Sequence, residues 1–390
     1  MATVIKPDLE FKKAIIGLDA SDLTSCYQCG TCSSVCPIST PENPFPRKEM
    51  AWIQWGLKDR AMSNSSIWSC HQCGLCSTYC PRDAKPANLM GALREYSIGY
   101  YAVPSFLAKW IASPRYLPVL FAIPVAILLA VVAAAGNLGS LPQGRIVFTK
   151  FIPDPFVEIF YTLMCALAVL AGTVGGLRYL NAMCRQAGMN GALDLRSRIV
   201  PTLQKIFSHR EFAACESKRV GDRPTHREHA PHAHLAVFYG FLALLVTTIS
   251  VAIGTWFFNY REPWPLWHPV KILGNVGGIV FVLGIAVFLI RRIADGSKTG
   301  KNTYSDWLFL TVLVLTGLTG FGSETTRLAG LRGVAYPMYF VHLVFIFFLL
   351  VYFPFSKFGH VVYRTVALLY NAAAGQEPSA TPLPEPAAAS

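Results

Sequence analysis

Two cysteine runs with one shared spacing occupy the N-terminal third of the chain. The pattern Cys-x2-Cys-x2-Cys-x3-Cys-Pro occurs at 26–37 and again at 70–81. This spacing is typical of a pair of [4Fe–4S] clusters, in which three cysteines wrap one cubane and the fourth, before proline, reaches the other. Soft thiolate ligands suit such centres. The sequence therefore predicts cluster one at Cys26, Cys29, Cys32 and Cys80, and cluster two at Cys70, Cys73, Cys76 and Cys36.

A pair of zinc sites is the alternative interpretation of these cysteines. Zinc ribbons place CxxC pairs on either side of a longer loop, whereas each run here holds four cysteines within 11 residues. The compact spacing favours iron–sulfur clusters. His71 lies between two predicted ligands, where we expect a surface position or a hydrogen bond that tunes a potential. Three further cysteines have no neighbours at ligand spacing: Cys165, Cys184 and Cys215.

Histidines at the ends of apolar segments form a second set of candidate ligands, because ionisable residues at membrane depth are candidates for function. His342 and His360 are 18 residues apart. On one helix this spacing is about five turns, which predicts both rings on one face, roughly 27 Å apart. We predict that His234 and His360 hold a proximal haem b, and that His268 and His342 could hold a distal one. Other histidines before the third apolar segment could replace His234: His226, His229 and His232.

Lys271 lies near the start of the fourth apolar segment, three residues after His268. A cation or an imidazole beside a quinone oxygen can stabilise the reduced anion or exchange a proton. Lys271 and His268 are therefore candidates for a quinone site. The alternative for Lys271 is a side chain that snorkels to the lipid surface.

Six long apolar segments must position these histidines. The chain of 390 residues is 53% hydrophobic and 14% charged, with a mean hydropathy of +0.40. Soluble domains carry about 25% charged residues, so the composition excludes a wholly soluble or disordered protein. Segments of about 20 apolar residues can span a bilayer. The predicted spans of this mainly all-α fold are 116–135, 155–178, 234–258, 269–290, 305–322 and 336–357.

The chain divides into three predicted regions. Residues 1–113 form a helical, ferredoxin-like domain with two clusters, residues 114–370 form a six-helix transmembrane cytochrome b bundle, and residues 371–390 form a disordered tail. We see no secretory leader. Basic residues concentrate in the loop 184–233 and after span four. The positive-inside rule then places the cysteine domain, this loop and the C-terminus in the cytoplasm, as in a multi-pass protein of the inner membrane.

The N-terminal part, with its two cysteine runs, resembles the C subunit of heterodisulfide reductases. The membrane part, with its histidine pair at 18-residue spacing, resembles the haem b subunits of that enzyme and of respiratory nitrate reductases. The fusion of both parts resembles the membrane subunit of the quinone-interacting membrane-bound oxidoreductase (Qmo). One position departs from the nitrate-reductase type: Leu244 stands ten residues after His234, where that type has a second histidine.

The resemblance implies an electron-transfer subunit of a quinone-linked oxidoreductase. Electrons would pass between menaquinone, haem b, the two clusters and cytoplasmic flavin/iron–sulfur subunits (QmoA/QmoB-like), linked to adenylylsulfate reductase in dissimilatory sulfur metabolism. It also aligns Lys271 roughly with a lysine implicated at the quinone site of the nitrate-reductase type. The alternatives are a heterodisulfide-reductase-like or sulfite-linked redox protein, and a zinc-containing, membrane-anchored binding module without redox activity.

Overall fold

A computed structural model describes residues 6–18, 20–189, 193–209, 230–260, 263–294 and 303–376. Within these ranges the chain forms helices and turns and no strand, which confirms the predicted all-α fold. Several sequence predictions lie outside the described residues: the alternative ligands His226 and His229, the thiol of Cys215 and the tail from residue 377 onward.

The cysteine-rich part folds into short helices joined by tight turns. Gly30 and Gly74 precede α2 and α6 with φ of 90° and 80°, a left-handed conformation that glycine adopts at no steric cost. Each of these helices is one turn long and ends before the Cys-Pro of its run. The helices are α1 (Leu9–Gly17), α2 (Thr31–Ser34), α3 (Arg47–Gln54), α4 (Lys58–Met62), α5 (Ser66–Ser69), α6 (Leu75–Thr78), α7 (Pro86–Tyr101) and α8 (Ser105–Ile111).

Six helices in the described residues are long and apolar enough to cross a membrane, which confirms the number of predicted spans. A short amphipathic helix, α11 (Ile199–Ser208), lies between the second and third of them. The spanning helices are α9 (Leu117–Ala134), α10 (Asp154–Gln186), α12 (Ala230–Phe258), α13 (Pro269–Ala294), α14 (Tyr304–Leu328) and α15 (Arg332–Val351). A final helix, α16 (His360–Ala373), follows the last span.

The last membrane span and the segment that carries His360 form two separate helices. His342 lies within α15, whereas His360 is the first residue of α16. Two single 3₁₀ turns, Phe353–Phe355 and Lys357–Gly359, separate the two helices, and Pro354 has no amide to continue the helical hydrogen bonds. The prediction of five continuous turns between the two histidines, with both rings on one face, is therefore wrong. The predicted sixth span also ends earlier, at Val351.

Glycines bring α12 and α13 into close contact. A Cβ on Gly240 would lie 2.7 Å from the backbone nitrogen of Phe281, and a Cβ on Gly277 would lie 2.5 Å from the Cβ of Ala243. Small residues at such positions let membrane helices pack backbone to backbone. These glycines had no predicted role, because a helix contact is not visible in the spacing of one segment.

The core of the cysteine-rich part extends into the membrane part. Tyr179 of α10 and Tyr363 of α16 are buried in one hydrophobic cluster with Trp68 and Tyr101. The hydroxyl of Tyr179 donates to the carbonyl oxygen of Asn64 over 2.9 Å, and that of Tyr101 donates to the carbonyl oxygen of Met62 over 3.1 Å. The two predicted regions are therefore packed together through a shared aromatic core.

Candidate functional site

The four cysteines predicted for cluster one line a single cavity. This cavity is bordered by Cys26, Cys29, Cys32 and Cys80, with Arg47 and Arg82 beside them. The thiol of Cys29 is exposed, whereas that of Cys32 is buried. The backbone N–H of Ala84 donates to the sulfur of Cys80 over 3.3 Å, as amides commonly do around iron–sulfur centres.

The four cysteines predicted for cluster two, Cys36, Cys70, Cys73 and Cys76, line a second cavity. The N–H of Gln72 donates to the sulfur of Cys70 over 3.3 Å. The x3 cysteine of each run thus crosses to the cavity of the other run. Electrostatic interaction between Cys32 and Cys76 links the two sets of thiols, so the two cavities are neighbours.

The chemistry of these donors fits a cationic iron core. Burial, together with the neighbouring thiols of Cys26 and Cys29, raises the pKa of Cys32 to about 11. Burial and crowding by other cysteines likewise raise the pKa of Cys76. Packed thiols of this kind resist becoming thiolates unless bound iron compensates the charge. Within the described ranges, no group of three or more Cys, His, Asp or Glu side chains converges on a single metal position.

Arginines from two helices hold the Cys70 loop. Arg94 of α7 donates to the carbonyl oxygens of Ile67 and Cys70, and Arg364 of α16 donates to the same Cys70 oxygen over 3.0 Å. Burial and the charges of both arginines lower the pKa of His71 to about 3, so its ring is neutral. The Nη2 of Arg364 lies 3.3 Å from the Nδ1 of His71. His71 is thus part of the junction with α16, which spacing alone did not indicate.

The structure brings together the two histidines predicted for the proximal haem. His360 and His234 are close enough to interact electrostatically, and Phe241 of α12 packs against Phe358, two residues before His360, with 5.8 Å between ring centroids. A third ring, that of His209, lies 5.3 Å from His234 between ring centroids. His209 was not among the predicted ligands, because it follows a polar helix end and lies outside every apolar segment.

The ring of His360 is oriented for metal binding. Its Nδ1 lies 2.8 Å from the carbonyl oxygen of Lys357. A carbonyl can only accept, so Nδ1 carries the proton and the lone pair of Nε2 is available to iron. Lys357 is itself held by an ion pair with Asp306 of α14, and Arg292 lies 3.3 Å from the same carboxylate. The donor set therefore fits a haem iron on this side.

The two histidines predicted for a distal haem have different surroundings. The Nδ1 of His342 lies 3.1 Å from the hydroxyl of Thr319, and a Cβ on Gly320 would lie 3.1 Å from its ring. The Nδ1 of His268 accepts from the N–H of Val270 over 3.3 Å. The ring of His268 packs on Trp264, with 4.5 Å between centroids. Among the contacts of the described residues, none joins these two histidines.

Lys271 forms an ion pair inside the bundle. Its Nζ lies 3.1 Å from the Oε2 oxygen of Glu324 on α14, and the Glu324 side chain is only 14% exposed. The second oxygen of Glu324 is buried without a hydrogen-bond partner among the described residues. This pairing contrasts with the alternative of a lysine that snorkels to the lipid surface. Glu324 was not a predicted site residue, because it lies just beyond the predicted fifth span.

Comparisons with known proteins divide the chain in the same way. The 4Fe–4S dicluster domain family matches residues 22–84, so the chain carries a dicluster domain. Citrate utilization protein B of Escherichia coli is 30% identical over 138 residues, which are 35% of this chain and 36% of that protein. One subunit of the dihydromethanophenazine:CoB–CoM heterodisulfide reductase is 28% identical over 109 residues in both Methanosarcina acetivorans and Methanosarcina barkeri.

The two Methanosarcina matches each cover 26% of this chain and 41% of the reductase polypeptide. The chain thus spans less than half the length of the curated relatives it matches. No solved structure matches the chain. The family described as citrate utilization protein B matches residues 114–381, which is more than half of the chain. The chain therefore belongs to the citrate utilization protein B family.

Proposed function

We propose that this protein is a membrane electron-transfer subunit that connects a quinone in the bilayer with a redox partner at the cysteine-rich domain. One observation carries the proposal: eight cysteines line two neighbouring cavities, four in each, and the Cys70 loop of the second cavity is bonded to the helix that begins at His360. The match to a 4Fe–4S dicluster family and the likeness to a component of heterodisulfide reductase support it.

The residues have distinct tasks in this proposal. Cys26, Cys29, Cys32 and Cys80 hold cluster one, Cys70, Cys73, Cys76 and Cys36 hold cluster two, and His234 and His360 hold haem b. Bound haem and clusters each supply a one-electron carrier, so a two-electron quinol can be oxidised in single steps. The chain positions the ligands and surrounds them with arginines. A second haem at His342, with His268 or another ligand, is part of the same proposal.

The partner docks at the face of cluster one. Cys29 is exposed there, and the ring of Tyr27 is 59% exposed beneath the guanidinium of Arg82, 5.8 Å from the ring centroid. The loop of cluster two is instead in contact with α16, through Arg364. An electron that leaves the membrane part would therefore reach cluster two first and cluster one last. The cysteine domain and both termini lie in the cytoplasm of an inner-membrane protein, in line with the basic loops.

The quinone site lies at the Lys271–Glu324 pair, on the side of the bundle away from the clusters. The lysine offers a cation to a quinone oxygen, and the unpartnered Glu324 oxygen can accept a proton released by a quinol. His268 lies one turn before Lys271 on the same face. Menaquinone is the proposed substrate.

The proposed partners are cytoplasmic flavin/iron–sulfur subunits like those of the Qmo complex, with adenylylsulfate reductase as an indirect partner. A second candidate follows from the family, whose name refers to citrate utilization: the same electron path could serve a flavoprotein that oxidises a carboxylic acid. The two candidates share the cofactors and differ in the protein bound at cluster one.

A visible spectrum and electron paramagnetic resonance of the purified full chain test the proposal. We expect a dithionite-reduced haem b band and signals of two [4Fe–4S] clusters, and reduction of the haem by a menaquinol analogue. A colourless, zinc-containing protein would contradict the proposal and support a binding module. Identification of the co-purified flavoprotein then separates the sulfur-linked partner from the carboxylate-oxidising one.

A further inference from the structure

The guanidinium of Arg364 lies between the two predicted cofactor sites. Its Nη1 donates to the carbonyl oxygens of Trp68 and Cys70, each over 3.0 Å, and its Nη2 lies 3.3 Å from the Nδ1 of His71. Arg364 also follows His360 by four residues on α16, a spacing that puts both on one face of the helix. One side chain thus joins the loop of cluster two to the helix of the haem ligand.

We infer that Arg364 is the positioning residue that couples cluster two to the proximal haem: it fixes the Cys70 loop against the helix of His360, and its charge raises the reduction potential of both groups. This inference rests on the proposed function and adds to it a residue outside both ligand sets.

Hydrogen bonding at the junction supports the positioning part. The Cys70 carbonyl accepts from Arg364 on one side and from Arg94 on the other. The ring of Trp68 lies beneath Arg94, at 5.5 Å, and stacks on Tyr363 with 5.4 Å between centroids. Because the donors come from α7 and α16, the peptide that follows the first ligand of cluster two is held by both parts of the chain.

The electrostatic part follows from what reduction does to each group. A cluster or haem that gains an electron becomes more negative, so a fixed cation nearby stabilises its reduced form. Arg364 lies 3.3 Å from the ring of His71, which follows the first ligand of cluster two, and one helical turn from His360 on α16, so its charge is close to both proposed sites. Arginine stays protonated at every physiological pH, so this stabilisation does not vary with pH.

The test is a redox titration of the purified full chain, with the clusters followed by electron paramagnetic resonance and the haem by visible absorption. We expect Arg364→Gln to lower the potentials of cluster two and of the proximal haem, with cluster one shifted less. Arg364→Lys keeps the charge but not the fork of donors, and should restore most of each potential. Arg332→Gln is the matched control, because Arg332 also donates to a carbonyl, that of Gly144, and lies at the end of α15 farther from α16.

Three results would overturn the inference: unchanged potentials in Arg364→Gln, an equal shift of both clusters, or no recovery in Arg364→Lys. If Arg364→Gln does not retain cluster two, the potentials measured in Arg364→Lys test the inference. Potentials close to those of wild type in the lysine variant then support the inference, and lowered potentials of cluster two and the haem contradict it. Absence of haem and clusters from the wild-type chain would instead refute the proposed function itself.

Discussion

The imidazole of His209 lies against that of His234, with 5.3 Å between ring centroids. His209 directly follows the amphipathic helix α11. The last turn of that helix is linked to α12 by a hydrogen bond from the Tyr239 hydroxyl to the Phe207 carbonyl. The loop after span two therefore reaches the site proposed for the proximal haem. Three histidines gather there, of which two are proposed as ligands.

Measuring the haem content of single variants shows which of these three histidines bind haem. We expect His234→Ala and His360→Ala to lose the proposed proximal haem, because each removes a proposed nitrogen ligand. His209→Ala should retain it and alter only the spectrum, since its ring packs beside a ligand. Haem per polypeptide, measured by pyridine haemochrome, is the readout. Loss of haem in His209→Ala, with retention in His234→Ala, would make His209 the ligand.

Single cysteine variants test how the two runs share their clusters. We expect Cys29→Ser to remove cluster one and Cys73→Ser to remove cluster two, so that non-haem iron falls from about eight to about four atoms per chain. Cys165→Ser is the control, since Cys165 lies in α10 and lines neither cavity. Cys80→Ser tests whether the last cysteine of the second run binds cluster one. This variant should lose the electron paramagnetic resonance signal of cluster one, as Cys29→Ser does. Loss of the cluster two signal would contradict the assignment.

The close contact of α12 and α13 predicts a costly substitution at Gly277. A Cβ there would meet that of Ala243 at 2.5 Å, whereas a Cβ on Gly333 of α15 has no atom within 4 Å. Overpacking of this kind costs about 1–3 kcal/mol. We expect Gly277→Ala to lower the Tm of the protein in detergent and Gly333→Ala to leave it unchanged. Equal Tm values for the two variants would show that the helices separate freely.

Glu49 makes stability depend on pH. Burial raises the pKa of its carboxyl to about 7, although Asn64 donates to it over 2.5 Å and Lys48 lies 3.6 Å away. Because this pKa lies above the unfolded value, the folded state favours the protonated form. Its stabilisation is complete below the unfolded pKa and is lost as the pH rises through about 7.

Glu49→Gln keeps a neutral side chain at every pH and tests this dependence. Between about pH 6 and pH 8, wild type should lose about 1 kcal/mol of stability relative to the variant. Thermal melts of the two proteins in detergent, compared at each pH, measure the difference. A Tm gap that stays constant with pH would show that Glu49 does not titrate in this range.

The Lys271–Glu324 pair predicts a defect confined to quinol oxidation. Lys271→Ala should slow reduction of the haem by a menaquinol analogue at least tenfold, which is about 1.4 kcal/mol of activation free energy. Reduction of the same haem by dithionite should not change, because dithionite needs no quinone site. Unchanged quinol kinetics in Lys271→Ala would remove this residue from the quinone site.

The sequence predicted the helical fold, the six spans and the grouping of the eight cysteines, because these depend on local spacing and hydropathy. Contacts between segments that are distant in the chain could not be predicted from the sequence. Nothing near Arg364, Glu324 or His209 in the sequence indicates the residue that each one meets. The single long helix through His342 and His360 was wrong because an 18-residue spacing fits helical periodicity whether or not Pro354 interrupts the helix.

The break between α15 and α16 also limits which chimaeras of this chain could fold. Because α16 supplies His360 at one end and aromatic core residues to the cysteine-rich part along its length, the two halves are not interchangeable modules. A chimaera that takes its cysteine domain from a homologue must take α16 from the same parent. Otherwise the foreign domain would pack against a mismatched helix, and the proposed haem ligand His360 would be displaced together with that helix.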